Sequence, residues 1–312
     1  MESLRISLNA VLPLFLYMVV GYLAKLGKLL DDEDVSKFNK VIFRVFLALS
    51  VFKAIHNSDL STALRPKLLL FTLLGILLEF LIGIFVAGRI STHPNQKGVI
   101  IQGVFRSNFT LIGLAIAEVL VPTEEIAPVA MLSVVVIPAF NVLAVVCLSL
   151  YSGETVQPKE VALRIAKNPL ILATAAGIAC MVLKIHFPES VERAINAMGS
   201  AASPVMLFLL GAFFHFESLG KYARQITVTT VFKLIVNPGV FLTLGYLLGF
   251  RGMEFAGLIG VFASSVAVSS FTMSQQMGGD ADLAGDLVVS TSLFSCLTLF
   301  GWCVLFKTLG AF

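Results

Sequence analysis

Runs of about twenty mostly apolar residues, each long enough as a helix to cross a bilayer's hydrocarbon core, recur along this chain between short polar connections. Ten such spans are predicted, over approximately residues 5–25, 36–56, 67–88, 98–120, 126–151, 160–184, 193–214, 224–249, 255–277 and 284–309. The expected fold class is an all-α polytopic membrane protein of ten transmembrane helices. Three spans are weak by hydropathy. Lys40 and Arg44 lie in the second, the seventh opens on the small-residue run Gly199-Ser-Ala-Ala-Ser-Pro204, and the ninth is crowded with Ser, Thr and Gln between Ser264 and Gln276. Polar groups of this density need protein rather than lipid around them.

The polar pattern repeats. Gly103-Val-Phe-Arg-Ser-Asn-Phe-Thr-Leu-Ile-Gly113 in span 4 returns 157 residues later as Gly260-Val-Phe-Ala-Ser-Ser-Val-Ala-Val-Ser-Ser270 in span 9. Pro13 and Gly21 of span 1 have counterparts in Pro169 and Gly177 of span 6. Asp31 to Asp34 precede span 2 as Glu189 and Glu192 precede span 7, where the positive end of a helix dipole favours carboxylates. Residues 1–152 and 159–312 therefore read as two repeats of five spans. Because five is odd, the second must enter the membrane from the opposite face. Two inverted repeats with polar, glycine-bearing spans in matching places point to broken, crossing helices 4 and 9 around a transporter-type binding site.

Composition sharpens the class. Hydrophobic residues make up 57% of the chain and charged residues 13%, with a mean hydropathy of +0.93. Soluble domains carry about 25% charged residues, so little mass is expected outside the bilayer. A formal net charge of +3, scattered over short loops, excludes nucleic acid as a partner. Met1 to Arg5 run straight into an apolar span with no small-residue cleavage site, so no cleavable signal is expected. Lys and Arg are more frequent on the side that carries Lys25, Lys28, Arg89 and Lys97 than on the side with Lys53, Arg65, Lys67 and Lys184. The positive-inside rule puts the first side in the cytoplasm and both termini outside it. Cys147, Cys180, Cys296 and Cys303 fall in apolar spans at no metal or redox spacing and are expected to be free thiols. His56, His93, His186 and His215 form no ligand pair, and no cofactor is expected.

The candidate chemistry lies in the two polar spans. Backbone amides freed by a broken helix must meet protein or line a cavity, and amides together with asparagine suit an anion. Ser107, Asn108, Thr110 and Gly113 in span 4, with Ser265, Ser269 and Ser270 in span 9, are the expected substrate-binding residues. Ser and Asn also glue helices together; the repetition of the polar pattern in both halves favours binding. At helical spacing Ser265, Ser269 and Thr272 share a face. Arg106, Glu79 and Lys233 are embedded charges, each expected to face the interior with a partner. Glu79 and Lys233 sit at related levels of spans 3 and 8, either as a structural pair or as a coupling pair. Asn237-Pro238 should kink span 8. Asp280 and Asp282 read as capping or loop carboxylates, and Asp286, deeper in span 10, as a weak candidate for coupling to protons or sodium.

Leu12-Pro13, Gly21-Tyr-Leu-Ala-Lys-Leu-Gly27, Asn108 with Gly113, and Val266-Ala-Val-Ser-Ser-Phe271 before Gly278-Gly-Asp280 resemble the auxin efflux carrier family. That family spans plant auxin carriers and bacterial malate and malonate permeases. The resemblance covers nearly the whole chain, and the short Ser152–Lys159 connection is similar to bacterial members, which implies a multi-pass protein of a prokaryotic plasma membrane. It further implies a dimeric scaffold from spans 1, 2, 6 and 7 (about 1–60 and 160–216). A moving transport domain would come from spans 3–5 and 8–10 (about 66–152 and 222–312), with Asn108 at the crossing. Family members commonly have proline near Ala48, Ala115 and Ser265; none is present, so the crossing is expected to be less distorted or more easily rewound.

The function expected is a secondary carrier of small organic carboxylates, malate-, malonate- or auxin-like, working by elevator-type alternating access as a homodimer. A sodium-coupled carrier of the bile-acid type is the alternative within transport, and a passive channel a remote one. No paired aspartates, Ser/His dyad or His-Glu-x-x-His motif supports an intramembrane enzyme.

Overall fold

The ends of the helices follow from local chemistry. The computed structural model describes residues 2–57, 65–109, 127–152 and 158–311. Helix α1 covers Glu2–Leu26. Asp31 then starts α2 (Asp32–Val41) through a capping box: its side chain accepts from the Asp34 amide at 2.7 Å, and the Asp34 side chain accepts from the Asp31 amide at 3.2 Å. A π-helical turn, Ile42–Phe46, joins α2 to α3 (Leu47–His56). Helices α4 (Pro66–Ile90) and α5 (Pro94–Phe105) each start on a proline, whose missing N–H costs nothing in the first turn. After α6 (Ala127–Leu150) come α7 (Pro158–Ala166), α8 (Pro169–Val182) and α9 (Glu189–Phe213). The short α10 (Phe216–Lys221) leads to α11 (Ala223–Val231), a second π-helical turn (Phe232–Val236) and α12 (Asn237–Leu247). The chain closes with α13 (Gly252–Ala263), α14 (Ser269–Gln276) and α15 (Ala281–Thr308).

Among the described residues, five helices are long and apolar enough to cross a bilayer: Pro66–Ile90, Met131–Leu150, Glu189–Phe213, Ala223–Leu247 and Ala281–Thr308. Lys159–Ala166 and Pro169–Val182, bent by 55°, qualify together as a sixth. Of the other predicted spans, the first is the continuous helix α1, the second contains the π-helical turn, and the fourth and ninth stop part-way at Phe105 and Ala263. On α4, Leu70, Leu74, Leu77, Leu78, Leu81 and Phe85 face outward, while Leu68, Thr72, Gly75, Ile76, Glu79, Gly83 and Val86 form the buried stripe. An apolar outer face of this kind suits lipid and has no use for water.

Helix boundaries recur at the spacing of the sequence repeat, within a residue. Asp32–His56 is matched by Glu189–Phe213, Pro66–Ile90 by Ala223–Leu247, and Pro94–Phe105 by Gly252–Ala263. Asn237-Pro238 does distort its span. The proline has no N–H to offer the Leu234 carbonyl, and the Trp302 indole N–H takes that carbonyl instead at 2.9 Å.

Two polar rims bound the bundle. On one, Lys25 pairs with Asp32, Tyr222 donates to Asp280 at 2.8 Å and Ser218 to Asp286 at 2.8 Å. The Lys25 hydrogen bond holds the Asp32 carboxyl below the usual carboxylate range, a small contribution present at neutral pH and lost as pH falls through that lowered value. On the other, Arg65 pairs with Glu254 at 2.8 Å and the Gly252 amide donates to the Ala311 carbonyl at 2.7 Å. Helices α1 and α9 cross most closely. A Cβ on Gly21 would overlap the Phe208 carbonyl, and one on Gly211 the Met18 backbone.

Candidate functional site

Two helix ends meet inside the bundle. Helix α5 stops at Phe105 because Arg106 turns extended (φ −82°, ψ 113°), and α13 stops at Ala263 because Ser264 does the same (φ −74°, ψ 159°). The two extended segments pair antiparallel at Ser107 and Val266. The Asn108 amide donates to the Ser265 carbonyl at 2.8 Å and the Ala267 amide to the Arg106 carbonyl at 3.4 Å. The missing proline at Ser265 does not restore a helix. The freed groups are bonded instead: the Thr291 hydroxyl accepts from the Val266 amide at 3.1 Å.

Side chains replace the lost helical hydrogen bonds at both ends. Lys233 Nζ donates to the Phe105 carbonyl at 3.4 Å and to Ser107 Oγ at 2.5 Å, and Asn237 Nδ2 donates to the Val104 carbonyl at 2.9 Å. Ser107 Oγ in turn donates to the Val261 carbonyl, and Ser264 Oγ to that of Gly260 at 2.8 Å. The Glu79 carboxylate is close enough to feel the charge of Lys233 and lies beside Asn237, with no direct bond to the lysine. The pair is therefore coupled through space, and Lys233 spends its donors on the break.

A cavity of about 80 Å³ opens at this break, room for several waters or a small anion at roughly 10–15 Å³ per water. One wall holds Arg106, Ser107, Asn108 and Ser269; Phe140 and Asn141 of α6 adjoin it. Helices α3 and α9 complete the lining with Ser50, Ala54, Ser203 and Met206. Arg106 is 4% exposed. Its guanidinium donates to Asn141 Oδ1 at 2.8 Å, Ser269 Oγ at 2.9 Å and Gln102 Oε1 at 3.3 Å, and touches Met273 Sδ. All these partners are neutral, and no carboxylate pairs with it among the described residues. Asn108 Nδ2 is buried with no partner. A guanidinium with the polar residues Ser107, Asn108 and Ser269 beside it can hold a planar, two-oxygen anion.

The structure thus brings Arg106, Ser107, Asn108 and Ser269 to one cavity. Ser265 and Ser270 are buried behind it: Ser265 Oγ accepts from Ser292 at 3.4 Å, and the Ser270 hydroxyl has no partner. The shared helical face of Ser265, Ser269 and Thr272 does not form, because the break at Ser264 interrupts the helix between them. Asp286 is at the rim with Ser218 of α10, outside the lining. Asp280 caps α15, accepting from the Leu283 amide at 3.1 Å. Thr110 and Gly113 lie outside the described residues. Asn141, Ser50 and Ser203 were missed by sequence reasoning. Asn141 alone carried a signal, an amide in the otherwise apolar span 5.

A family model described as "Membrane transport protein" matches residues 6–303. A protein of Rhizobium meliloti (strain 1021) named "Putative malonate transporter" is 26% identical over 310 residues, covering 96% of this chain and 95% of its own. A Methanothermobacter thermautotrophicus protein named "Uncharacterized transporter" is 20% identical over 303 residues, covering 96% and 98%. A protein of the same description from Methanocaldococcus jannaschii is 22% identical over 318 residues, covering 96% and 99%.

Proposed function

The chain belongs to this membrane transport protein family, the auxin efflux carrier family, and from that premise we propose that it is a secondary carrier of small organic carboxylates. Family and relatives are transporters, which sets an intramembrane enzyme aside. One observation carries the reading: Arg106, whose hydrogen-bond partners among the described residues are all neutral, shares a cavity with Asn108, whose amide nitrogen has no partner among them. An uncompensated cation in a low-dielectric interior is costly, and a carboxylate in the cavity offsets that cost.

Alternating access of the elevator type fits the placement of the walls. Helices α1–α3 and α7–α9 form the scaffold, paired as a homodimer. Helices α4–α6 and α11–α15, the second body, carry the break residues past it. Ser50 and Ser203 belong to the first group and Arg106, Asn108 and Ser269 to the second, so the cavity lies at their boundary. The recurrence of helix boundaries supports an inverted pair of repeats.

The test is a carboxylate panel, malonate and malate included, measured by thermal shift and calorimetry with and without sodium. Hydrogen bonds to a charged acceptor contribute about 1.5–3 kcal/mol, so Asn108→Ala and Arg106→Gln should each weaken binding at least about tenfold. Ser269→Ala should act more mildly. Unchanged affinity in a folded Arg106→Gln protein places the site elsewhere.

A further inference from the structure

On the carboxylate reading above, we infer that the cavity accepts its substrate as a monoanion, so that a small dicarboxylate enters with its second carboxyl protonated. The charge inventory carries this. Arg106 is the only charged side chain among the described residues that line the cavity. It can neutralise one carboxylate. To the lining the scaffold helices add Ser50, Ser203 and the thioether of Met206, which can hydrogen-bond a neutral carboxyl but not balance a second negative charge.

Among the described residues the surrounding elements add no further cation to the lining; Arg44 of the turn before α3 is exposed and outside it. Helix α6 contributes Cys147, a buried thiol bonded to the Ala144 and Gly98 carbonyls. Helix α14 has no titratable group. Lys233, behind the break, is committed to Ser107 and Phe105 and is not part of the lining. On α3, Lys53 donates to Ser200 Oγ at 2.5 Å and His56 faces Glu192 at 3.9 Å, both outside the lining. Arg193 of α9 is paired with Glu189 at 2.5 Å, and Asp286 of α15 is bonded to Ser218 at the rim. His93 and Lys97 belong to the opposite end of α5 from Arg106. A dianion would leave one charge buried without a partner, which is strongly unfavourable. Each substrate molecule then carries its own proton across, and no side chain needs to titrate.

The experiment compares malonate with malonamate, in which an amide of nearly the same shape replaces the second carboxyl and leaves a fixed monoanion. Both are titrated calorimetrically into the wild-type protein across the second ionisation of malonate. The ratio of the two affinities should fall about tenfold per pH unit above that ionisation, with malonamate binding throughout. The ratio also cancels any titration of the protein. A constant ratio, or rejection of malonamate by a protein that binds malonate, overturns the monoanion while leaving the carboxylate reading intact. Failure of every carboxylate in the panel to bind overturns both.

Discussion

Glu79 and Lys233 are both fully buried, and a residue-by-residue account has to give them unequal work. Lys233 closes the end of α5 by bonding Phe105 and Ser107, while Glu79 makes no bond to the break. Removing one member of a buried pair typically costs about 3–5 kcal/mol, because the other stays behind uncompensated. Lys233→Ala should therefore lower thermal stability more than Glu79→Ala, since it also strips two acceptors of their donor. The double change should recover part of the loss, with a coupling above about 0.5 kcal/mol. Additive losses in denaturation of the four proteins would show that the two charges do not interact.

Among the elements, the tightest contact is the crossing of α1 and α9. Gly21 and Gly211 let the two backbones approach without intervening side chains, as small residues do between membrane helices. Gly211→Ala has nowhere to put its methyl, which would meet Met18 backbone atoms at about 2.6 Å. Overpacking of this kind costs about 1–3 kcal/mol, so a lower melting temperature is expected. Because none of Met18, Gly21, Phe208 and Gly211 lines the cavity, affinity for the best carboxylate should hold in the surviving folded protein. Gly88, with open space around its would-be Cβ, is the control: Gly88→Ala should leave melting unchanged. Equal melting of Gly211→Ala and wild type would mean that the crossing is looser than the backbone geometry requires.

For the whole molecule, the two polar rims set the orientation question. The connection after α4 lies on one rim and that before α9 on the other. Ser91 is buried against Gln96 at 2.7 Å and would label poorly, whereas Thr92 and His186 are exposed. Single cysteines at Thr92 and His186, in a background without Cys147, Cys180, Cys296 and Cys303, should react with impermeant reagent from opposite faces. Thr92 should be the cytoplasmic one, by the bias of Lys and Arg. Labelling of both from one face would break the span count. Asp59 and Gly153, natural positions for the same test, lie outside the described residues.

What the chain determined by itself was whatever depends on local composition and spacing. Helical spans follow from apolar runs with a polar rhythm too sparse for water, caps from Asp31 and Asp280, and the repeat from recurring glycines and polar residues. Arg106, Asn108, Glu79 and Lys233 stood out because polar groups in apolar spans are costly and need a reason. Tertiary structure alone decided which of them share a cavity. Ser107 and Val266 are far apart along the chain, and their pairing sets the directions in which Arg106 and Asn108 project. Ser50 and Ser203 look like any small residues of a packed helix until α3 and α9 bring them to the cavity that Arg106 lines. Ser265 shows the converse, since helical spacing assigned it to the cavity face. An interrupted helix loses its period at the break, so what each residue faces beyond that point is set by the segments packed against it.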